Sequence, residues 1–303
     1  MAATFVDQLC AFSWQSPADA QYLNAAKGLS SMDFKSRWFH QGVTLFTQGY
    51  DGPTDGRPRE MPLLKDVTIV VPTRNEAANI RGFLASLPPD IALIVVDKST
   101  DETRELIKRH RPLNTAVHDY QGTLTEARQL GAERARTSWL LFTDADIVFA
   151  DDYFERLSQL LADAAPADVL YGPKLSRDEY RLYYRGFAAG QWLSQVLRMP
   201  AASGSNLVVS AKAFHGVRGF DTQLACNEDS ELAWRIKRFG YHCRFDRKLV
   251  VFATDHRRLR RSRLLKATHT LLRCAVLYFG LLPQRWRGHD WGYWSETSPP
   301  HQP

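Results

Sequence analysis

The apolar residues in the middle of the chain switch repeatedly between two spacings. "VTIVV" (67–71) is an unbroken β-branched run, the pattern of a strand buried on both faces. In "TRNEAANIRGFLASL" the apolar residues Ile80, Phe83, Leu84 and Leu87 follow helical spacing, and Thr73 with Glu76 predicts a capping box at the helix start. The couplet then repeats. "IALIVV" (91–96) precedes a helix predicted to begin at Ser99 with Glu102 behind it, and Thr123 with Glu126 opens "TLTEARQLGAERAR" ahead of the strand "WLLFT". "NEDSELAWRIKRFG" predicts another helix, started at Asp229, packing through Leu232, Trp234, Ile236 and Phe239 and stopped at Gly240. Strand and capped helix in alternation predict an α/β fold with a mostly parallel sheet flanked by helices on both faces.

In such sheets ligands bind beyond the carboxyl ends of the strands. Pro72 with Thr73, Asp97 and Asp144 all stand there. Asp144 and Asp146 are spaced i and i+2, so in an extended chain they point to the same side. Two ionised carboxylates held together repel, and one shared divalent cation relieves the repulsion. A solvated turn is the alternative. The other α/β ligand classes lose their defining elements: no GxGxxG follows the first strand, and no P-loop GxxxxGK[ST] or GxSxG elbow occurs. Dehydrogenase, ATPase and α/β-hydrolase chemistry are excluded on that ground.

Four segments in order, "IVVPTRNEAANI", "VVDKSTDET", "EARQLGAERARTSWLLFTDAD" and "CNEDSELAWRIKRFGY", resemble the successive motifs of the family 2 glycosyltransferases with the GT-A fold. The resemblance covers residues 66 to 255. It implies a Rossmann-like, mostly parallel sheet, a nucleotide-diphosphate-sugar donor, inversion at the transferred sugar, and a divalent metal, Mn2+ or Mg2+. Carried over to this sequence, it implies nucleotide contacts at Pro72, Thr73, Glu76, Asp97, Arg128 and Asp144. The metal falls to Asp146 and Asp144, with His256 as a third ligand or else a surface histidine. Asp229 becomes the general base, with Glu228 beside it contacting acceptor or backbone; helix-dipole stabilisation is the plain alternative for both acids. "SGSN" (203–206) resembles the family's acceptor loop or is an ordinary turn. One departure stands out: Val96 occupies a position where the family usually has an acid before Asp97, which leaves the identity of the base open.

Composition adds boundaries. With 303 residues and 44% apolar content the chain can fill one large core or one core plus an appendage. Four scattered cysteines, no pattern of a signal peptide and no run long enough to span a bilayer suit a cytoplasmic protein, peripheral to a membrane at most. The net charge of +6 is local. Residues 256–289 hold nine Lys or Arg and no acid; without them 30 bases face 33 acids. Three parts follow: residues 1–65 as an extension and linker, 66–255 as the catalytic domain, and 256–303 as a basic amphipathic helical segment. That segment either meets an anionic membrane face, where a lipid-linked acceptor would be found, or docks on the domain. Two rival functions are weaker. A sugar-1-phosphate nucleotidyltransferase would carry a Gly-rich loop after the first strand, which is missing. A nucleic-acid partner fits poorly, because the body is slightly acidic and lacks a base-reading module.

Overall fold

The β-branched run becomes the central strand. β1 (Val67–Thr73) is buried at every position and pairs in parallel with β2 (Ala92–Asp97) on one side and β4 (Trp139–Thr143) on the other. This is a computed structural model, and it describes residues 64–163, 166–255, 272–274 and 276–289. β3 (Thr115–Asp119) continues the parallel sheet beyond β2. Past β4, β8 (Asn206–Ser210) runs antiparallel, followed by β6 (Val169–Tyr171) and β9 (Cys243–Phe245), giving the order β3-β2-β1-β4-β8-β6-β9. Because β2 and β4 leave β1 on opposite sides, their carboxyl ends open the crevice where α/β sheets take ligands.

Strand alternation divides the core into two layers. Val67, Ile69 and Val71 face one layer with Phe83 of α1 (Ile80–Ala85), Ile107 of α2 (Thr103–His110) and Leu157 of α4 (Tyr153–Leu161). Val70 faces the other, with Ala132 of α3 (Leu124–Arg134), Phe214 of α6 (Ala211–Gly216), and Leu232 and Ile236 of α7 (Glu228–Arg238). Between these helices α5 (Arg181–Val196) leads into β8. The chain leaves the main sheet at Thr143 and passes Asp144 and Asp146. It then enters a three-stranded sheet, in which β5 (Ile147–Phe149) pairs antiparallel with β10 (Val251–Ala253) and β7 (Lys174–Leu175) flanks β10 in parallel. The aspartate pair therefore sits where the backbone crosses between sheets.

The three predicted capping boxes fared differently. Thr123 and Glu126 form one, each side chain bonded to the other's backbone N–H. Thr73 does not start a helix. It ends β1, its hydroxyl is taken by Asp97, and α1 begins only at Ile80 without a side-chain cap. Ser99 likewise serves Asp97, while α2 starts at Thr103, whose N–H bonds to Asp101 Oδ1 at 3.0 Å. Both corrections have one cause: the buried carboxylate at the end of β2 offers a hydroxyl a stronger partner than a helix amide does. In α7, Leu232, Trp234 and Ile236 are buried as expected and Gly240 follows the helix with φ +89°, but Phe239 is exposed. It is the residue that caps α7, one position past its last turn.

His256, residues 257–271 with six of the nine bases of the basic segment, residue 275 and residues 290–303 lie outside the described residues, as do residues 1–63. Between these stretches, Leu277 and Leu282 pack against Leu224 and Trp234, and the Trp234 and Tyr278 rings meet edge-on at 5.1 Å. Helical spacing puts Leu272, Phe279 and Leu282 on one side of the predicted helix and Arg273 opposite. In the structure Leu282 is buried, but the other three positions differ from a docked apolar side. Leu272 and Phe279 are 65% and 70% exposed, whereas Arg273 is 5% exposed and donates to the carbonyl oxygens of Trp286 and Arg287. Those carbonyls end the short helix α8 (Gln284–Arg287) and need donors, a demand invisible to the wheel of an isolated helix. The described part of this segment is thus docked. No helix among the described residues is long and apolar enough to cross a membrane.

Candidate active site

At the carboxyl ends of β1 and β2, Asp97 is fully buried and heavily bonded. Thr73 and Ser99 each donate a hydroxyl to its Oδ1 at 2.6 Å, and Arg104 donates Nε and a terminal nitrogen to Oδ2 at 3.1 and 2.9 Å. Arg104 also reaches Asp119, at the end of β3, at 3.1 Å. Hydrogen bonds to Asp97 and then to Asp119 raise its pKa. The β1 turn is tied to the same cluster. The Asn75 N–H donates to Ser99, Thr100 N–H donates back to Asn75, and Asn75 takes φ +55°, a conformation asparagine tolerates well. Glu76 accepts from Asn79 at 2.6 Å, and its N–H donates to Thr103. Pro72 is buried between the strands.

At the end of β4 the balance of charge is different. Arg128 of α3, 3% exposed, donates to Asp144 Oδ1 at 2.6 Å and to Glu228 Oε1 at the start of α7. Burial works against its charge, but Asp144, Glu228 and Asp229 together more than offset it. Asp229 accepts from the Gly204 N–H and from its neighbour Ser230, both at 2.6 Å. Ser205 donates to Asp144 Oδ2 at 2.5 Å. Segment 203–206 is therefore clamped over the guanidinium. A Cβ on Gly204 would lie 2.5 Å from Arg128 Cζ, so only glycine lets the loop approach this closely. One cation faces three carboxylates in this cluster. Burial is the main cause that raises the pKa of Glu228, to about 7, and raises that of Asp229; the pull of Arg128 does not cancel it.

Asp146, beside this group, accepts from Lys174 Nζ at 3.4 Å, and Lys174 also reaches Ser205 at 3.2 Å. The Asp146 carbonyl is held by the N–H and hydroxyl of Thr254, both at 2.9 Å, which fixes the crossover between sheets.

Residues 68–218 match the family model described as glycosyl transferase family 2. The chain belongs to the family 2 glycosyltransferases. Among its relatives, the pre-mycofactocin glycosyltransferase of Mycobacterium tuberculosis is 26% identical over 215 residues, 66% of this chain and 45% of its own. The succinoglycan biosynthesis protein ExoA of Rhizobium meliloti is 27% identical over 200 residues, 57% of this chain and 58% of its own. The chain spans about half the length of these curated relatives. In fold, it resembles the mannosyltransferase PcManGT from Pyrobaculum calidifontis in complex with GDP-Man and Mn2+, with a TM-score of 0.53 at 22% identity, over 80% of this chain and 76% of that one. It likewise resembles S. aureus TarS in complex with UDP-GlcNAc, with a TM-score of 0.53 at 19% identity, over 63% of this chain and 58% of that one. The α/β architecture expected from the sequence is that of these GT-A neighbours.

In this family 2 glycosyltransferase the residues singled out in the sequence fall into two groups at one crevice. Pro72, Thr73, Glu76 and Asp97 gather at the β1–β2 end, while Arg128, Asp144, Glu228 and Asp229 gather at the β4–α7 end beside Asp146. Arg104, Lys174 and Ser99 were missed as site residues. Nothing local marks the first two: Lys174 sits in "YGPKL" and Arg104 inside an ordinary helix, and each is recruited by the approach of an acid in the folded chain, whereas Ser99 stands two residues from Asp97. Among the described residues no group of three or more His, Cys, Asp or Glu is arranged to hold an ion. Two hard carboxylate donors at Asp144 and Asp146 still fit Mg2+ or Mn2+ chemistry of the kind completed by substrate phosphates, which needs only one or two protein carboxylates.

Proposed function

We propose that this chain transfers a single sugar from a nucleotide-diphosphate sugar to an acceptor hydroxyl, with inversion, using Asp229 as general base. The observation that carries this reading is the Arg128 cluster: one buried guanidinium gathers Asp144 from the strand end and Glu228 from the helix start, and its field includes Asp229. On this reading donor-side and acceptor-side carboxylates would be held at one point. Asp229 would take the proton of the acceptor hydroxyl as its oxygen bonds to the anomeric carbon, and the bond from that carbon to the diphosphate oxygen breaks on the opposite face. Loss of the proton is helped by the raised basicity of a buried carboxylate. Glu228 and Arg128 would keep Asp229 oriented. A divalent ion bound by Asp144 and Asp146 would offset charge developing on the nucleoside diphosphate. Lys174, now paired with Asp146, would turn toward phosphate.

At the other end, Pro72, Thr73, Glu76 and Asp97 would form the nucleotide wall. Asp97 would act there through Thr73, Ser99 and Arg104, since its two oxygens are already committed to them. GDP-Man and UDP-GlcNAc, carried by the two fold neighbours, name the donor classes to try first. A hexose donor, residues 66–255 as the catalytic domain and a cytoplasmic setting complete the proposal. The test is a thermal-shift panel of nucleotide sugars with and without Mn2+ or Mg2+. Selective, metal-dependent stabilisation by one donor is expected; no stabilisation by any nucleotide sugar overturns the reading.

A further inference from the structure

Helix α5 is docked the wrong way round. Its buried residues are Tyr184 and Gln191, and Gln191 donates to the Ala201 carbonyl at 2.9 Å. Leu182, Leu193, Val196 and Leu197 are exposed. With Gly186 and Ala189 between them, these positions recur every three or four residues and form one continuous apolar stripe toward solvent. Surface helices bury such a stripe. One that presents it outward marks a binding face.

The amino end of the same helix borders a cavity of about 320 Å³ lined by Leu175, Ser176, Arg177, Arg181, Arg185 and Phe252. The Arg177 guanidinium lies 4.1 Å above the Phe252 ring, and Arg181 donates to the Arg177 carbonyl. Among the described residues none of the three arginines pairs with a carboxylate. Asp178 and Glu179 line the adjoining depression, which shares Arg181. Three cations around one apolar-floored cavity repel each other, and an anion relieves the repulsion; planar guanidinium forks suit phosphate best. The cavity also adjoins the proposed site. Leu175 follows Lys174, which reaches Asp146, and Phe252 pairs with both Leu175 and Val148 in the small sheet.

We infer that the Arg177, Arg181 and Arg185 cavity receives the phosphate head of an anionic, amphiphilic acceptor, and that the outward stripe of α5 lies against its hydrocarbon part. Basic rim and apolar face together match an anionic lipid and not a soluble sugar. Calling this ligand the acceptor rests on the glycosyltransferase reading; the binding itself does not.

The test sediments the full chain with phosphatidylcholine vesicles lacking or containing phosphatidylglycerol, with and without inorganic phosphate as a soluble competitor. Binding is expected only to the anionic vesicles, and it should fall with rising salt. Arg181→Gln with Arg185→Gln should weaken it about 25-fold, since each cation near an anionic leaflet contributes about fivefold. Leu193→Ser with Leu197→Ser should weaken it separately, with melting curves reporting that both variants fold. Binding that follows Arg260→Gln, Arg261→Gln and Arg263→Gln alone would overturn the inference in favour of the basic segment. Competition by phosphate with no effect of the leucine changes would overturn the amphiphile in favour of a soluble anion. A protein stabilised by no nucleotide sugar would defeat the enzymatic reading while leaving the vesicle result standing.

Discussion

Two carboxylate clusters lie at the ends of β2 and β4, the strands that flank β1, and they differ in how far positive charge offsets them. At the end of β2, Asp97 is bonded by two hydroxyls and by a guanidinium that also pairs with Asp119. At the end of β4, a single guanidinium serves three carboxylates across β4 and α7. The first cluster is saturated, so it stiffens the crevice wall by locking the β1 and β2 turns together. The second is short of positive charge, and burial pushes Glu228 and Asp229 toward holding protons. A saturated acid holds a shape. A buried acid whose charge is not offset is poised to take a proton or share a cation, which is why chemistry is assigned to the second cluster.

The comparison breaks most sharply at Asp229. Asp229→Asn should lower transfer about a hundredfold or more, with donor affinity near wild type. Titration showing donor binding lost in parallel would move this residue to the donor side. Its pH behaviour sharpens the point. A base works deprotonated, so the rate rises with pH through a pKa that burial has raised; the acid limb should lie above the ordinary aspartate range and vanish in the Asn variant. Next comes Asp146→Asn, which should cost roughly tenfold or more in turnover and abolish metal-dependent stabilisation by the donor. Full wild-type activity in EDTA would sink the metal assignment.

The saturated cluster should answer in stability. Asp97→Asn removes the charge that Arg104 pairs with, at about 2 kcal/mol in denaturant unfolding, softened because Arg104 is partly exposed and keeps Asp119. An unchanged unfolding midpoint would show that the bonds at Asp97 do not brace the crevice. The smallest effect is expected at the capping box. Thr123→Ala should cost about 1 kcal/mol and leave turnover alone, because the cap lies a full turn from Arg128 on the same helix. A drop in turnover there would show that the tilt of α3 aims the guanidinium.

The sequence by itself determined what depends on neighbours along the chain. The unbroken run at 67–71 could be buried only as a central strand, and Thr123 with Glu126 could satisfy each other because one helical turn brings them together. The order of four motifs along a parallel sheet likewise placed Asp97 and Asp144 at one crevice. Tertiary structure decided whatever depended on a partner far away in sequence. Thr73 bonds to Asp97 instead of capping a helix, Lys174 reaches Asp146, and Arg273 turns inward to the carbonyls of Trp286 and Arg287. The physical reason is the same in each case: a polar group leaving water takes the strongest partner within reach, and only the folded chain sets which partners are within reach.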